Sequence, residues 1–147
     1  MRQESEQLKS TIDSAEPKLR AVSEDRSREP ILQGGWSRKQ IIGHLIDSAS
    51  NNHQRFVRAT LQESLDFPGY DQKGCVQVAG VQDLAWTDLL NLWTSYNRFL
   101  AHVIARLPED SLEKTCRVGA NQPVTLGFLV TDYLTHLNHH LAQLGAY

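Results

Sequence analysis

Apolar residues recur along four stretches of this chain at steps of three and four, the spacing that lines one face of an α-helix. In the first stretch, from about Gln3 to Val22, the apolar positions are Leu8, Ile12, Ala15, Leu19 and Val22. They predict a helix with one buried face, and Pro17 falls inside it. A proline there removes a backbone donor and clashes with the preceding turn, so a kink or local break is expected. A second helix is announced by Ser37 and Gln40, three apart just before an apolar run, as in a capping box with Ser37 as N-cap. Its stripe is Ile42, Leu45, Ile46, Ala49, His53, Phe56 and Val57, and the pattern persists to about Leu61. At roughly 1.5 Å per residue that helix can run the length of a small bundle. Trp86-Thr87 repeats the form of Trp36-Ser37, and with Thr87 as N-cap it opens a third helix through Leu89, Leu90, Trp93, Tyr96, Leu100, Val103, Ile104 and Leu107. Thr125 opens the fourth, whose stripe is Leu126, Val130, Tyr133, Leu134, Leu137, Leu141 and Leu144.

Between the stripes the pattern lapses. Ser23 to Gly35 is rich in charge, Pro and Gly and reads as a loop. Gln62 to Ala85 holds Pro68, Gly69, Gly74 and Gly80; it is too long for a tight turn and suits a crossover that carries a short helix or walls off a pocket. Ser111 to Pro123 reads as a further loop with some extended character. Four amphipathic helices and no convincing strand remain, and each helix can bury its stripe only against the others. The expected architecture is therefore all-α, an antiparallel-rich four-helix bundle with one long connection between helices two and three.

A chain of 147 residues matches a single domain, 1–147, large enough to bury a core without disulfide or metal staples. A formal net charge of −2 supplies no footprint for nucleic acid or an anionic membrane. Cys75 and Cys116 lie far apart and outside any CxxC spacing, which suits reduced thiols better than a disulfide framework. The start, Met1-Arg2-Gln3-Glu4-Ser5-Glu6-Gln7, has no apolar signal core, and no apolar run approaches the length that crosses a bilayer. A cytoplasmic location is the expectation.

Candidate chemistry concentrates on the fourth helix. His136 and His140 are four apart, so they project from one side, one turn above the other, at the edge of the apolar stripe. Two imidazoles so placed can hold one metal ion, while His139 points well away. A catalytic site of the zinc type takes three protein ligands and leaves a position for water or substrate, so the pair needs a partner. His44 lies on the polar side of the second helix, near Ser48, Asn51 and Arg55 by projection. His53 sits almost at the centre of the apolar stripe, where a histidine is more often a satisfied core residue. His102 falls on the polar face of the third helix. Periodicity does not choose between His44 and His53.

The string Trp36-Ser37-Arg38-Lys39-Gln40-Ile41-Ile42-Gly43-His44-Leu45-Ile46-Asp47-Ser48-Ala49, with Asp132-Tyr133-Leu134-Thr135-His136-Leu137-Asn138-His139-His140-Leu141-Ala142-Gln143 downstream, resembles the DinB/YfiT-like superfamily. The resemblance covers essentially the whole chain in element order, and the two histidine motifs carry its specificity. It implies a four-helix bundle with a divalent metal on three histidines, one from a W-S-x-x-x-x-x-G-H-L context and two from an H-x-x-x-H pair. Those roles fall on His44, His136 and His140. The family includes proteins assigned as metal-dependent hydrolases and, in some branches, enzymes that act on low-molecular-weight thiols by transfer or isomerisation. A small-molecule substrate, a small thiol among the candidates, and a homodimer are what the resemblance implies; its association with DNA finds no support in the charge of this chain.

Zinc or nickel is the expected ion, with manganese or iron as alternatives. A divalent ion on neutral nitrogens keeps its charge, lowers the pKa of bound water to about 7 and can equally stabilise a thiolate, so hydrolysis and thiol transfer are both open. The contrasting reading is a bundle that keeps the fold and the metal but serves as a binding or interaction module without turnover. Asp132, one turn before His136, is placed either to accept that histidine's other N–H or simply to suit the start of the helix. Asp47, three residues after His44, is the other candidate for such a supporting or acid–base role. Arg55 can meet an anionic substrate group or lie on a solvated face. Cys75 has no base marked beside it and reads as inert. Trp36, Trp86 and Trp93 read as core and loop anchors.

Overall fold

The computed structural model describes residues 1–146. Its helices are α1 (Arg2–Arg20), α2 (Glu24–Arg28), α3 (Arg38–Leu61), α4 (Gln72–Ala79), α5 (Trp86–Ala105) and α6 (Leu126–Gln143). The four long ones, α1, α3, α5 and α6, are the four stripes and form a four-helix bundle. Leu8, Ile12 and Leu19 of α1, Leu45 and Phe56 of α3, Trp93 and Leu100 of α5, and Leu137 of α6 are buried together. Each such aliphatic or aromatic side chain contributes about 1.5–3 kcal/mol by leaving water. The main packing partners are α1 with α5 and α6, and α3 with α5 and α6. The first two long helices, α1 and α3, therefore stand diagonally across the bundle.

The capping box forms as the spacing predicts. Ser37 Oγ accepts the Gln40 N–H at 3.2 Å, and Gln40 Oε1 accepts the Ser37 N–H at 2.9 Å. Thr125 likewise caps α6, its hydroxyl oxygen accepting the Phe128 N–H at 3.1 Å. Two local expectations fail. The first helix runs unbroken through Pro17, because that residue falls in the last turn, where few bonds remain to be lost. Thr87 does not cap α5. The helix starts two residues earlier, with Ala85 as N-cap, and its Trp86 N–H donates to Oε2 of Glu24 at 2.8 Å. Glu24 Oε1 also receives the Lys39 ammonium at 2.5 Å, and Lys39, which is fully buried, donates to the Leu84 carbonyl as well. Lys39, then the Trp86 N–H, hold the Glu24 carboxyl down at about 2. A short α2 that the loop pattern concealed thus ties the starts of α3 and α5 together.

The expectation of no strand is also corrected. Strands β1 (Leu65–Phe67), β2 (Thr115–Val118) and β3 (Val124–Thr125) form a small sheet in that order. β1 and β2 are parallel, with Leu65 opposite Cys116 and Phe67 opposite Val118; β2 and β3 are antiparallel, with Cys116 opposite Val124. Runs of two to four residues are too short to show a period of two, and the parallel pair joins segments remote in sequence. The sheet positions the site, because it fastens the α3–α5 connection to the α5–α6 connection. The Gly119 N–H closes this join on the Phe67 carbonyl at 2.8 Å. Gly119 has φ +59°, and a Cβ there would stand 3.2 Å from the Gly69 nitrogen, so both conformation and space call for glycine. Among the described residues no helix is long and apolar enough to cross a membrane.

Candidate metal centre

The buried arc of α3 is wider than its apolar stripe. Ile46, His53 and Val57 sit at the half-buried edge, while the polar positions His44, Ser48, Asn52 and Arg55 are only 1%, 4%, 8% and 9% exposed. These four follow one another at helical steps of four, four and three, so they form a polar stripe turned inward. α6 and the segments around β1 and β2 cover it. The close approach at the head of the stripe depends on Gly43. A Cβ there would lie 2.8 Å from Cγ1 and 3.1 Å from Cγ2 of Val81, the buried first residue of the 3₁₀ turn Val81–Asp83.

His44 meets the α6 pair across this seam. One ring nitrogen from each of His44, His136 and His140 lies within 4.8 Å of the other two. Nε2 of His44 and Nε2 of His136 are 3.1 Å apart. Two nitrogens each about 2.1 Å from a tetrahedral ion stand about 3.4 Å apart, so the spacing fits a shared cation. The rings meet edge to face, with centroids 4.6–5.0 Å apart. Burial, then the neighbouring imidazoles His136 and His140, push His44 down to about 4. His136 and His140 are also pushed down, burial being the main cause in each; Asp132 acts against it at His136 and the Gln143 hydrogen bond at His140. Near neutral pH all three rings are therefore uncharged, the form that coordinates a metal.

The supporting contacts differ from the expected ones. Gln143 Oε1 accepts from His140 Nδ1 at 2.9 Å, which fixes the Nδ1–H tautomer and leaves Nε2 with a free lone pair. The amide of Gln143 then reaches His139 Nε2 at 3.0 Å, so His139 is exposed and acts one step removed. Ser48 Oγ approaches His136 Nδ1 at 3.5 Å. Asp132 is exposed and hydrogen-bonds to no histidine among the described residues; its influence on His136 is through charge. Asp47 is half-buried, with its carboxyl pushed up by burial, and it too makes no histidine contact among the described residues. Ser48 and Gln143 were missed by sequence reasoning, although both were legible in principle, one turn from His44 and from His140. His44 Nδ1 is buried without a partner, and the Trp36 ring lies beside the His44 ring, centroids 5.3 Å apart.

The other histidines are elsewhere. His53 Nδ1 contacts the Tyr96 hydroxyl at 3.1 Å, its ring edge-on to Tyr96 and Phe99 in the α3–α5 seam. His102 is exposed. Cys75 is exposed on α4 and Cys116 is buried in β2. Trp86 and Trp93 are buried anchors, Trp86 donating its ring N–H to the Leu19 carbonyl at 3.0 Å.

Two clefts open beside the triad. One, of about 490 Å³, is mainly apolar and is lined by Ile31, Leu32, Trp36, Ile41, His140 and Gln143. The other, of about 400 Å³, is polar and lies on the His136 side, with Ser48, Asn52, Arg55, Tyr70 and Asp132 in its walls.

The sequence profile of the DinB superfamily matches residues 7–144. The chain belongs to that superfamily. Among its DinB relatives, a Bacillus pumilus protein named "Putative metal-dependent hydrolase" is 27% identical over 115 residues, a match covering 78% of this chain and 66% of that protein, slightly under two thirds. An Oceanobacillus iheyensis protein of the same name is 24% identical over 127 residues, or 86% of this chain and 72% of that one. YfiT from Bacillus subtilis, described as "a probable metal-dependent hydrolase with an unusual four-helix bundle topology", superposes with a TM-score of 0.84 at 19% identity over 96% of this chain and 81% of that one. A mycothiol-dependent maleylpyruvate isomerase superposes with a TM-score of 0.81 at 17% identity over 98% of this chain and 60% of that one. At such identities these two likenesses establish a shared fold.

Proposed function

We propose that this chain is a metal-dependent enzyme whose divalent ion is held by His44, His136 and His140, with zinc or nickel the ion that suits three neutral nitrogens best. The observation that carries the reading is the convergence of three uncharged imidazoles, one nitrogen from each within 4.8 Å of the others, between two clefts. An ion bound there would supply Lewis acidity and a lowered pKa for a water or thiol.

The rest falls to the chain. The Gln143 hydrogen bond aims the His140 lone pair, and Ser48 steadies His136. Trp36 and Ile41 exclude water from one side and offer an apolar surface to the substrate. Ser48, Asn52 and Tyr70 offer hydroxyl and amide groups on the other. Asp132, the carboxylate in the polar wall, is positioned to take up a proton released from the nucleophile. Hydrolysis and transfer to a small thiol both suit such a centre, and the names of the relatives favour hydrolysis.

Metal content of tag-free protein, beside His44→Ala, His53→Ala, His136→Ala and His140→Ala, tests the proposal. Near-stoichiometric metal in the parent and in His53→Ala, lost from the other three, is expected. A parent that takes up none after incubation with zinc, nickel or manganese overturns it.

A further inference from the structure

Among the described residues Arg55 is a buried charge with few partners. It is only 9% exposed, yet no ion pair joins it to a carboxylate among the described residues. A guanidinium has five N–H donors. Here one of them, on Nη1, reaches the Asn52 amide oxygen at a long 3.4 Å, and Nε is buried with no partner. The Phe67 ring, 5.4 Å from the guanidinium carbon, provides a soft contact on one face and accepts no in-plane hydrogen bond. Burying a charge without partners is costly, so a cation kept in this state is one whose partner arrives from outside.

The surroundings say what that partner is. Arg55 forms part of the polar cleft that also contains His136, so an anion on its fork sits in the same space as the histidine centre. Ser48, Asn52, Tyr70 and Asn121 add hydroxyl and amide groups to that wall. The carboxylate of Asp132 lines the same cleft, so the positive charge there is offset in part. A single cation so offset matches a planar monoanion, which takes two parallel N–H bonds, better than it matches a phosphate dianion. A space of about 400 Å³ admits a small molecule.

We infer that the polar cleft is a carboxylate subsite: Arg55 holds the carboxylate of a small-molecule substrate whose reacting group lies at the three-histidine centre. The inference rests on the metal-centre reading for the second half of that statement and, for the first, on the buried arginine that has no ion pair among the described residues. It accounts for a feature that packing leaves unexplained, since the guanidinium's polar contact within the chain is one long hydrogen bond to Asn52, beside the Phe67 face.

The test uses cobalt-loaded protein and the probes mercaptoacetate, mercaptopropionate and mercaptobutyrate, each beside its neutral amide. Thiolate-to-cobalt absorption reads the thiol end at the metal, and titration reads affinity. For at least one chain length the acid should bind about tenfold or more tighter than its amide, the size of one charge-assisted bidentate contact. Arg55→Gln should abolish that preference while metal content and amide affinity stay as in the parent, and Arg55→Lys should restore part of it. Arg55→Met, which removes a buried charge with no ion pair among the described residues, should melt no lower than the parent. Equal binding of acid and amide at every length, or a preference that survives in Arg55→Gln, overturns the subsite.

A second arm separates the two readings. Titration of metal-free protein with succinate, followed at the Arg55 Nε–H resonance, should shift that signal, and succinamide should leave it in place. If the parent binds no cobalt, the metal centre fails alone, and the succinate result still decides the arginine. No shift with succinate, in protein that does bind cobalt, sinks the subsite and leaves the metal centre intact.

Discussion

Gln143 does for His140 what Asp132 was one candidate to do for His136. By accepting the Nδ1–H at 2.9 Å it selects the tautomer that leaves Nε2 with a free lone pair. Replacing it with leucine keeps the helical position and removes the acceptor, so metal affinity should fall by about 10–100-fold with the fold intact, the usual cost of losing such a partner. Competition with a chromogenic chelator measures this, and an unchanged affinity would dismiss the role. His44 carries a second consequence. Burial and the neighbouring imidazoles push it down to about 4, below the 6.5 of a free histidine in the unfolded chain. Between those values the unfolded chain binds the extra proton, so this contribution is complete above pH 6.5 and lost as pH falls toward 4. Metal-free protein should lose on the order of 3 kcal/mol across that window through His44, and His44→Phe should flatten the slope. Urea midpoints at several pH values give the measurement; a parent as stable at the acid end as at neutrality would contradict it.

α3 shows how much of an element local pattern can specify. Its start was legible, because a capping box involves only Ser37, Gln40 and their own backbone. Its apolar stripe was legible too, but its true buried arc was not, because burial of Ser48, Asn52 and Arg55 depends on what other segments lay over them. For the same reason projection onto a helix left His44 and His53 unresolved. Gly43 is where the overlying segment comes nearest. Gly43→Ala would favour the helix by intrinsic propensity, yet its methyl would press on the stiff, buried Val81. The clash should win, destabilising by about 1–3 kcal/mol and loosening the metal, as overpacking does. Thermal denaturation with and without metal checks both effects, and a stabilised variant would show that the Val81 turn yields freely.

The whole chain converges on a centre built from two helices that only tertiary packing brings together, so ligand binding there should stabilise the fold. With free zinc or nickel at about 100 times its dissociation constant, linkage adds about 2.7 kcal/mol, or roughly 5–10 °C in melting temperature for a chain of this size. Removing the metal with a chelator should reverse the shift, and His136→Ala should show none; a shift of equal size in that variant would place the ion elsewhere. The four amphipathic stripes, the Ser37 and Thr125 caps and the His136–His140 spacing follow from sequence alone, because each depends on residues within a turn or two of one another. The small sheet, the Glu24–Lys39 join, the inward turn of the α3 polar stripe and the arrival of His44 beside the α6 pair depend on segments tens of residues apart. No short-range period encodes those contacts, and the folded chain decides them by burying the most apolar surface while leaving few polar groups unmet.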